Sequence, residues 1–200
     1  MIFSQLITRG ITNDEIITAF DSIARGDFVS VQNKRSAYSD IEMPLENNRV
    51  MVRSFVLAKI LEKAVSYLAN SVLILGDPSG YTSSIFKALF KSVTVGALQS
   101  SEIEKLRGKI NSAKVILFED LREKFDLIFL DGGIFKDKIR RRATELLNPE
   151  GHIIYFSKDS TFEFNPKKMD FFDISVIAEG SGDKETVCKM PLLFPCDVIS

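Results

Sequence analysis

Gly76-Asp77-Pro78-Ser79-Gly80 follows directly on the apolar run Val72-Leu73-Ile74-Leu75. A strand that ends in glycines and feeds a helix presents free backbone N–H groups, which suits a nucleotide-like ligand. Gly76 permits a sharp turn, and Gly80 lets the next helix pack close to the strand. The spacing, Gly-x-x-x-Gly with a proline inside, is neither the dinucleotide fingerprint nor a phosphate loop, since no Gly-Lys-Ser/Thr follows. A plain strand–helix turn accounts for it equally well. Two more stretches invite the same question. At Thr94-Val95-Gly96-Ala97-Leu98 an acid would commonly hold both ribose hydroxyls of a nucleoside, yet Gly96 and Ala97 stand there. Two charge-assisted hydrogen bonds, each worth about 1.5–3 kcal/mol, are therefore missing. In Phe129-Leu130-Asp131-Gly132-Gly133, Asp131 offers a ligand contact or a base, or else caps the following turn.

Other chemistry is poorly supplied. The chain of 200 residues has one histidine, His152, and two cysteines, Cys188 and Cys196. That argues against a histidine-based triad and a metal-ligand cluster, and it suggests neither a disulfide framework nor a zinc site. A reducing, cytoplasmic setting is expected. The 26 basic residues against 27 acidic ones give no basic face for nonspecific nucleic-acid binding. Arg140, Arg141 and Arg142 are adjacent, so on a helix they point in different directions and read as a solvated face. No apolar run reaches the roughly 20 residues that cross a bilayer, and the N-terminal stretch, interrupted by Gln5, Arg9, Asn13 and Asp14, does not read as a signal peptide.

The elements that would position these residues fall into two stretches. Residues 1–70 read as a helical extension with irregular joints. Thr12 or Asn13 can cap a helix carrying Ile16, Ile17, Phe20 and Ile23 at helical spacing, and residues 53–69 form a second amphipathic helix. Between them lies an ordered, loop-like segment without a steady period. Residues 71–200 alternate short apolar runs with helical stretches, the signature of a mostly parallel α/β sheet. Strands are expected at 71–76, 92–98, 114–118, 125–131 and 152–156, with Asn148-Pro149-Glu150-Gly151 as a turn before the last. Residues 172–194 read as a C-terminal antiparallel hairpin.

The combination resembles the protein-L-isoaspartate O-methyltransferase family over nearly the whole chain. Ser4–Val29 is similar to that family's opening, "QL…RGI.d..vl.A…vpR..FV". "AYSDIEMPL" is similar to "AY.D..LPI", and "VLILGDPSGY" to the cofactor loop "VLEIGTGSGY". "FDLIFLDGG…LLNPEGHIIYF" follows the fourth and fifth strands, and "ETVCKMPLLFPC" is similar to the closing "…vrFVPL". The opening and closing segments are not shared with methyltransferases in general. The resemblance implies a Rossmann-like S-adenosylmethionine domain that methylates the free carboxylate of isoaspartyl residues in damaged proteins. It implies a protein or peptide substrate, and a monomer is expected. A carboxylate is already nucleophilic at neutral pH, so such catalysis would rest mainly on positioning it against the sulfonium methyl.

Departures from the pattern fall at the site. The family hydroxyls of "G.GQTIS.P" become Val50 and Val52, and the proline becomes Ser54. The first-strand acid becomes Ile74, and the ribose acid Gly96. Of the adenine-side "GDG", Asp120 survives. The resemblance thus assigns cofactor contacts to Gly76, Asp77, Ser79, Gly80 and Asp120, with Asp77 toward the cofactor's ammonium and Ser79 toward its carboxylate. Arg53, or else Arg49, would replace the lost hydroxyls at the substrate carboxylate. Three readings follow. One is a carboxyl methyltransferase of weakened or lost activity with a degenerate active site. Another is a noncatalytic member that binds a peptide or protein partner, with Arg49–Val52 as an apolar strip. The third is a protein for another nucleotide, with Asp131 as acid or base.

Overall fold

The computed structural model describes residues 5–46, 49–110, 113–131, 137–156, 161–164 and 171–173. Nine strands and five α-helices occur among them. In the extension, a short 3-10 turn at Ile7–Arg9 precedes α1 (Asp14–Ser22), whose cap is Asn13, its Oδ1 accepting from Ile16 N at 3.1 Å. Two further 3-10 turns, Arg25–Asp27 and Val31–Ser36, lead to the two-residue strands β1 (Met43–Pro44) and β2 (Val50–Met51). These pair antiparallel, so the segment read as a loop holds a minimal hairpin. The helix α2 (Ser54–Val65) follows. Its start is capped at long range, because Asp40 Oδ1 accepts from Phe55 N at 3.3 Å.

The main sheet contains β3 (Ser71–Leu75), β4 (Ser92–Ala97), β5 (Lys114–Leu117), β6 (Phe125–Leu130), β7 (Leu147–Phe156), β8 (Thr161–Phe164) and β9 (Phe171–Asp173), in the order β5-β4-β3-β6-β7-β8-β9. The first five strands run parallel, connected through α3 (Tyr81–Leu89), α4 (Ser100–Arg107) and α5 (Asp137–Glu145). The strand order reverses between β4 and β6, on either side of β3, and ligands of open α/β sheets bind beyond such a switch point.

Two expectations are corrected. Asn148–Gly151 does not turn before its strand. It lies inside β7, where the register slips: Leu147 faces Phe125, but His152 already faces Leu127. The extra residues are absorbed as a bulge, which lets pairing continue past a proline. The antiparallel strands also arrive earlier than expected, as β8 against β7 and β9 against β8. Apart from β9, the hairpin expected at 172–194 lies outside the described residues, as do Cys188 and Cys196.

Alternation along the strands divides the core. Val72, Ile74, Leu127, Phe129 and Ile154 point to the side covered by α1, α2 and α3. Leu73, Leu75, Ile128, Leu130 and Ile153 point to the side covered by α5. The first cluster runs without a break from Leu6 in the extension to Ile154 in β7, so the extension and the sheet share one core.

Candidate functional site

The carboxyl ends of β3, β4 and β6 converge at the switch point. Beyond β3 the loop turns as the glycines require, with Gly76 and Gly80 both at φ +84°. Every residue from Gly76 to Gly80 is buried, Pro78 included. Asp77 organises the turn. Its Oδ1 accepts from Ser79 N (3.1 Å), Ser79 Oγ (2.6 Å) and Gly80 N (2.8 Å), and its Oδ2 accepts from Ser83 N and Ser83 Oγ (both 2.8 Å). Ser79 Oγ in turn accepts from Tyr81 N at 3.1 Å. A carboxylate has about four lone-pair sites, and five donors take them up. The carboxylate thus sits on the positive end of α3 and satisfies N–H groups that a bound anion would otherwise meet. Asp77 and Ser79 thus bond to each other and to the backbone of the turn and of α3.

At the end of β4 the missing acid has a structural counterpart. Gly96 pairs with Leu75 across β3 and β4. A Cβ added at Gly96 would run into Leu75 Cδ2, with Leu121 and Leu73 close behind. The acid of this edge stands instead at Glu102 in α4, which the sequence reading missed. Its Oε2 accepts from Leu98 N (2.9 Å) and Gln99 N (3.4 Å), and its Oε1 accepts from Arg49 Nη2. The Gln-x-x-Glu spacing of a capping box was the available signal. Asp120 follows β5 at the same edge and is exposed. Ile74 lies in the core. These residues do not fit S-adenosylmethionine in the way the family motif would hold it: Gly96, against which Leu75 packs, stands at the strand-end acid position, and the loop carboxylate is already bonded.

The substrate side also differs from expectation. Val50 is half-buried, while Met51 and Val52 are buried in the core, so Arg49–Val52 is not an exposed apolar strip. Val52 points inward because β2 leads directly into α2, whose start is packed against the sheet. Arg49 is not free for a ligand carboxylate, because it is ion-paired with Glu102 and both are buried. Arg53 precedes α2, is half-buried, and has no ion pair among the described residues. Asp131 is buried at the end of β6, its N–H donating to Leu75 O at 2.7 Å.

A second residue missed by sequence reading is Arg25, in the stretch similar to "vpR..FV". It is fully buried, with its guanidinium carbon 5.1 Å from the Tyr81 ring centroid. Desolvation lowers its pKa from the usual guanidinium value, opposed by Tyr81, Asp40 and Asp131. Burial also pushes the Tyr81 phenol up to about 12, against the pull of Arg25. Only the sheet brings Arg25, Tyr81 and Asp131 together, which is why the sequence left Arg25 unassigned.

The chain matches the family "Protein-L-isoaspartate(D-aspartate) O-methyltransferase (PCMT)" over residues 1–133. It is 31% identical over 93 residues to the protein-L-isoaspartate O-methyltransferase of Koribacter versatilis, covering 46% of this chain and 42% of that one. It is 23% identical over 165 residues to protein-L-isoaspartate O-methyltransferase 2 of Rhodopseudomonas palustris, covering 77% and 75%. Across the first of these relatives, the match spans about half of their length. Among solved structures, one of a protein-L-isoaspartate O-methyltransferase from Plasmodium falciparum, in complex with S-adenosyl-L-homocysteine, aligns at TM-score 0.62 and 16% identity, over 86% of this chain and 92% of that one. That likeness establishes the α/β methyltransferase fold. With the sequence match covering the extension, the loop after β3 and β6 together, this chain belongs to the protein-L-isoaspartate (D-aspartate) O-methyltransferase family.

Proposed function

We propose that this chain is a protein-L-isoaspartate O-methyltransferase-like protein whose methyl transfer from S-adenosylmethionine is weak or lost, and which keeps a peptide-facing surface. One observation carries the reading: the Asp77 carboxylate fills the donor set at the start of α3. Where the family loop leaves this end of the helix for a cofactor, the chain supplies its own anion. Leu75 beside Gly96 supports the same conclusion at the ribose end. The test is calorimetric titration of S-adenosylhomocysteine into the protein. No saturable heat is expected at about 1 mM ligand, where binding would still be worth about 4 kcal/mol. Saturable micromolar binding, together with methyl transfer to an isoaspartyl peptide, would overturn the proposal.

A noncatalytic role in binding peptides is the second reading. Arg49–Val52 does not favour it. What does is the exposure of Ile7, Tyr38 and Ile41 on the extension.

A further inference from the structure

Two ion pairs fasten the β1–β2 hairpin to α4. Arg49 pairs with Glu102, both buried, and Glu46 Oε2 accepts from Lys105 Nζ at 2.9 Å nearer the surface. Glu102 and Lys105 stand three residues apart and so share a face of α4. The hairpin comes to them from the other side of the switch point. Met51 and Val52 are packed in one cluster with Ile74 of β3, whereas Glu102 accepts from the backbone of Leu98 and Gln99 just past β4. Arg49–Val52 therefore spans the gap between the ends of β3 and β4, where the crevice of an open α/β sheet has its mouth.

The segment after α4 covers the same mouth from the far side. A Cβ added at Gly80 would sit 3.1 Å from Ile110 Cγ1 and 3.5 Å from Lys109 Cβ. Lys109 Nζ lies 5.7 Å from the Phe28 ring centroid, and that ring lies 5.5 Å from the ring of Tyr81. Burial and the charge of Lys105 lower the Lys109 pKa, while Asp77 and Glu46 pull it back up, so this lysine senses the loop and the hairpin together. Gly76–Gly80 is buried throughout. The Arg49–Glu102 pair is itself incompletely satisfied, because Arg49 Nη1 is buried without an acceptor. Lifting the hairpin would hydrate that group and both charges, which offsets much of the lost attraction. The closed arrangement is thus held by a small difference between large opposing effects, as a two-state element requires.

We infer that the β1–β2 hairpin is an autoinhibitory latch: the pairs Arg49–Glu102 and Glu46–Lys105 hold it across the switch point and keep ligands from Gly76–Gly80 until both pairs open. The inference rests on the proposed function only for the place of the site. It does not depend on whether S-adenosylmethionine binds there or is turned over.

Amide relaxation by a soluble gadolinium chelate, read by NMR on the full chain, reports solvent access residue by residue. In the unaltered protein Gly76, Asp77, Ser79 and Gly80 should be shielded as well as Val72–Leu75. Glu46→Gln/Arg49→Gln removes both pairs and leaves Glu102 on its backbone donors. In that variant the four loop amides should relax at least about tenfold faster, as promoting a minor open state to the major one gives. The amides of Leu127–Phe129 in β6 should stay as they were, which shows the sheet intact. Lys114→Gln/Glu123→Gln breaks an exposed pair elsewhere and should move none of these amides. Three results would each overturn the latch. One is loop amides of the unaltered protein relaxing as fast as those of exposed Ser100 and Ser101; another is loop amides unmoved in the hairpin variant. The third is equal acceleration of the loop and β6. Saturable binding of S-adenosylhomocysteine by the unaltered protein would instead strike only the proposed loss of methyl transfer.

Discussion

At the residue scale, two side chains decide how the cofactor edge reads. Asp77 brings its own carboxylate to the N–H groups of the turn after β3 and of the first turn of α3. Leu75 occupies the room in which a residue at position 96 would need to place a side chain. The second effect is testable apart from any ligand. Gly96→Ala adds a methyl group that an ordinary strand position welcomes, but here it meets a packed leucine. It should lower stability in urea denaturation by about 1–3 kcal/mol, the usual cost of overpacking. In a Leu75→Ala background that penalty should shrink, and strictly additive losses would show that the two positions do not compete.

At the element scale, Asp126 ties three strands together at the amino end of the sheet. Its Oδ2 accepts from Asn70 N, Ser71 N and Ser71 Oγ, each at 3.0 Å, and its Oδ1 accepts from Asn148 Nδ2 at 2.6 Å. It thereby joins the start of β3 to β6 and to the bulge of β7. Partial burial pushes its pKa up, but the hydrogen bonds from Asn148, Ser71 and Asn70 outweigh this and hold it below the usual 3.8. The sign follows from linkage. The folded value is depressed, so the stabilisation is fully present above pH 3.8 and is lost as pH falls through the lower folded value. Asp126→Asn should cost about 1–3 kcal/mol at neutral pH. It should also flatten the acid limb of a stability-against-pH curve, and an unchanged limb would place the acid sensitivity elsewhere. The sequence reading located β3, β6 and the second half of β7 from their apolar runs. It missed that Asn148 works inside a strand, because a proline and a glycine nearby carry strong turn signals.

At the scale of the whole molecule, the extension is bound into the sheet by apolar packing and by the buried Arg49–Glu102 pair, which joins the β1–β2 hairpin to α4. Removing one partner strands the other charge in the interior. Arg49→Met or Glu102→Leu alone should therefore cost about 3–5 kcal/mol, while the double replacement should recover most of it. Thermal or urea denaturation of the four proteins measures this, and a double variant as unstable as the sum would contradict it. Sequence periodicity placed α1 and α2 correctly but gave no sign that the hairpin reaches the far side of the switch point.

The sequence by itself determined the alternation of strands and helices and the turn after β3. These depend on side-chain period, capping and glycine, which act over a few neighbouring residues. The family pattern also marked which polar positions had changed. Only the tertiary structure decided what surrounds those positions. Leu75 faces Gly96, Glu102 takes Arg49, and Arg25 is enclosed beside Tyr81 because strand register and core packing bring together residues that are distant along the chain. Such contacts have no local signature, since either residue of each pair would suit its own element equally well without the other.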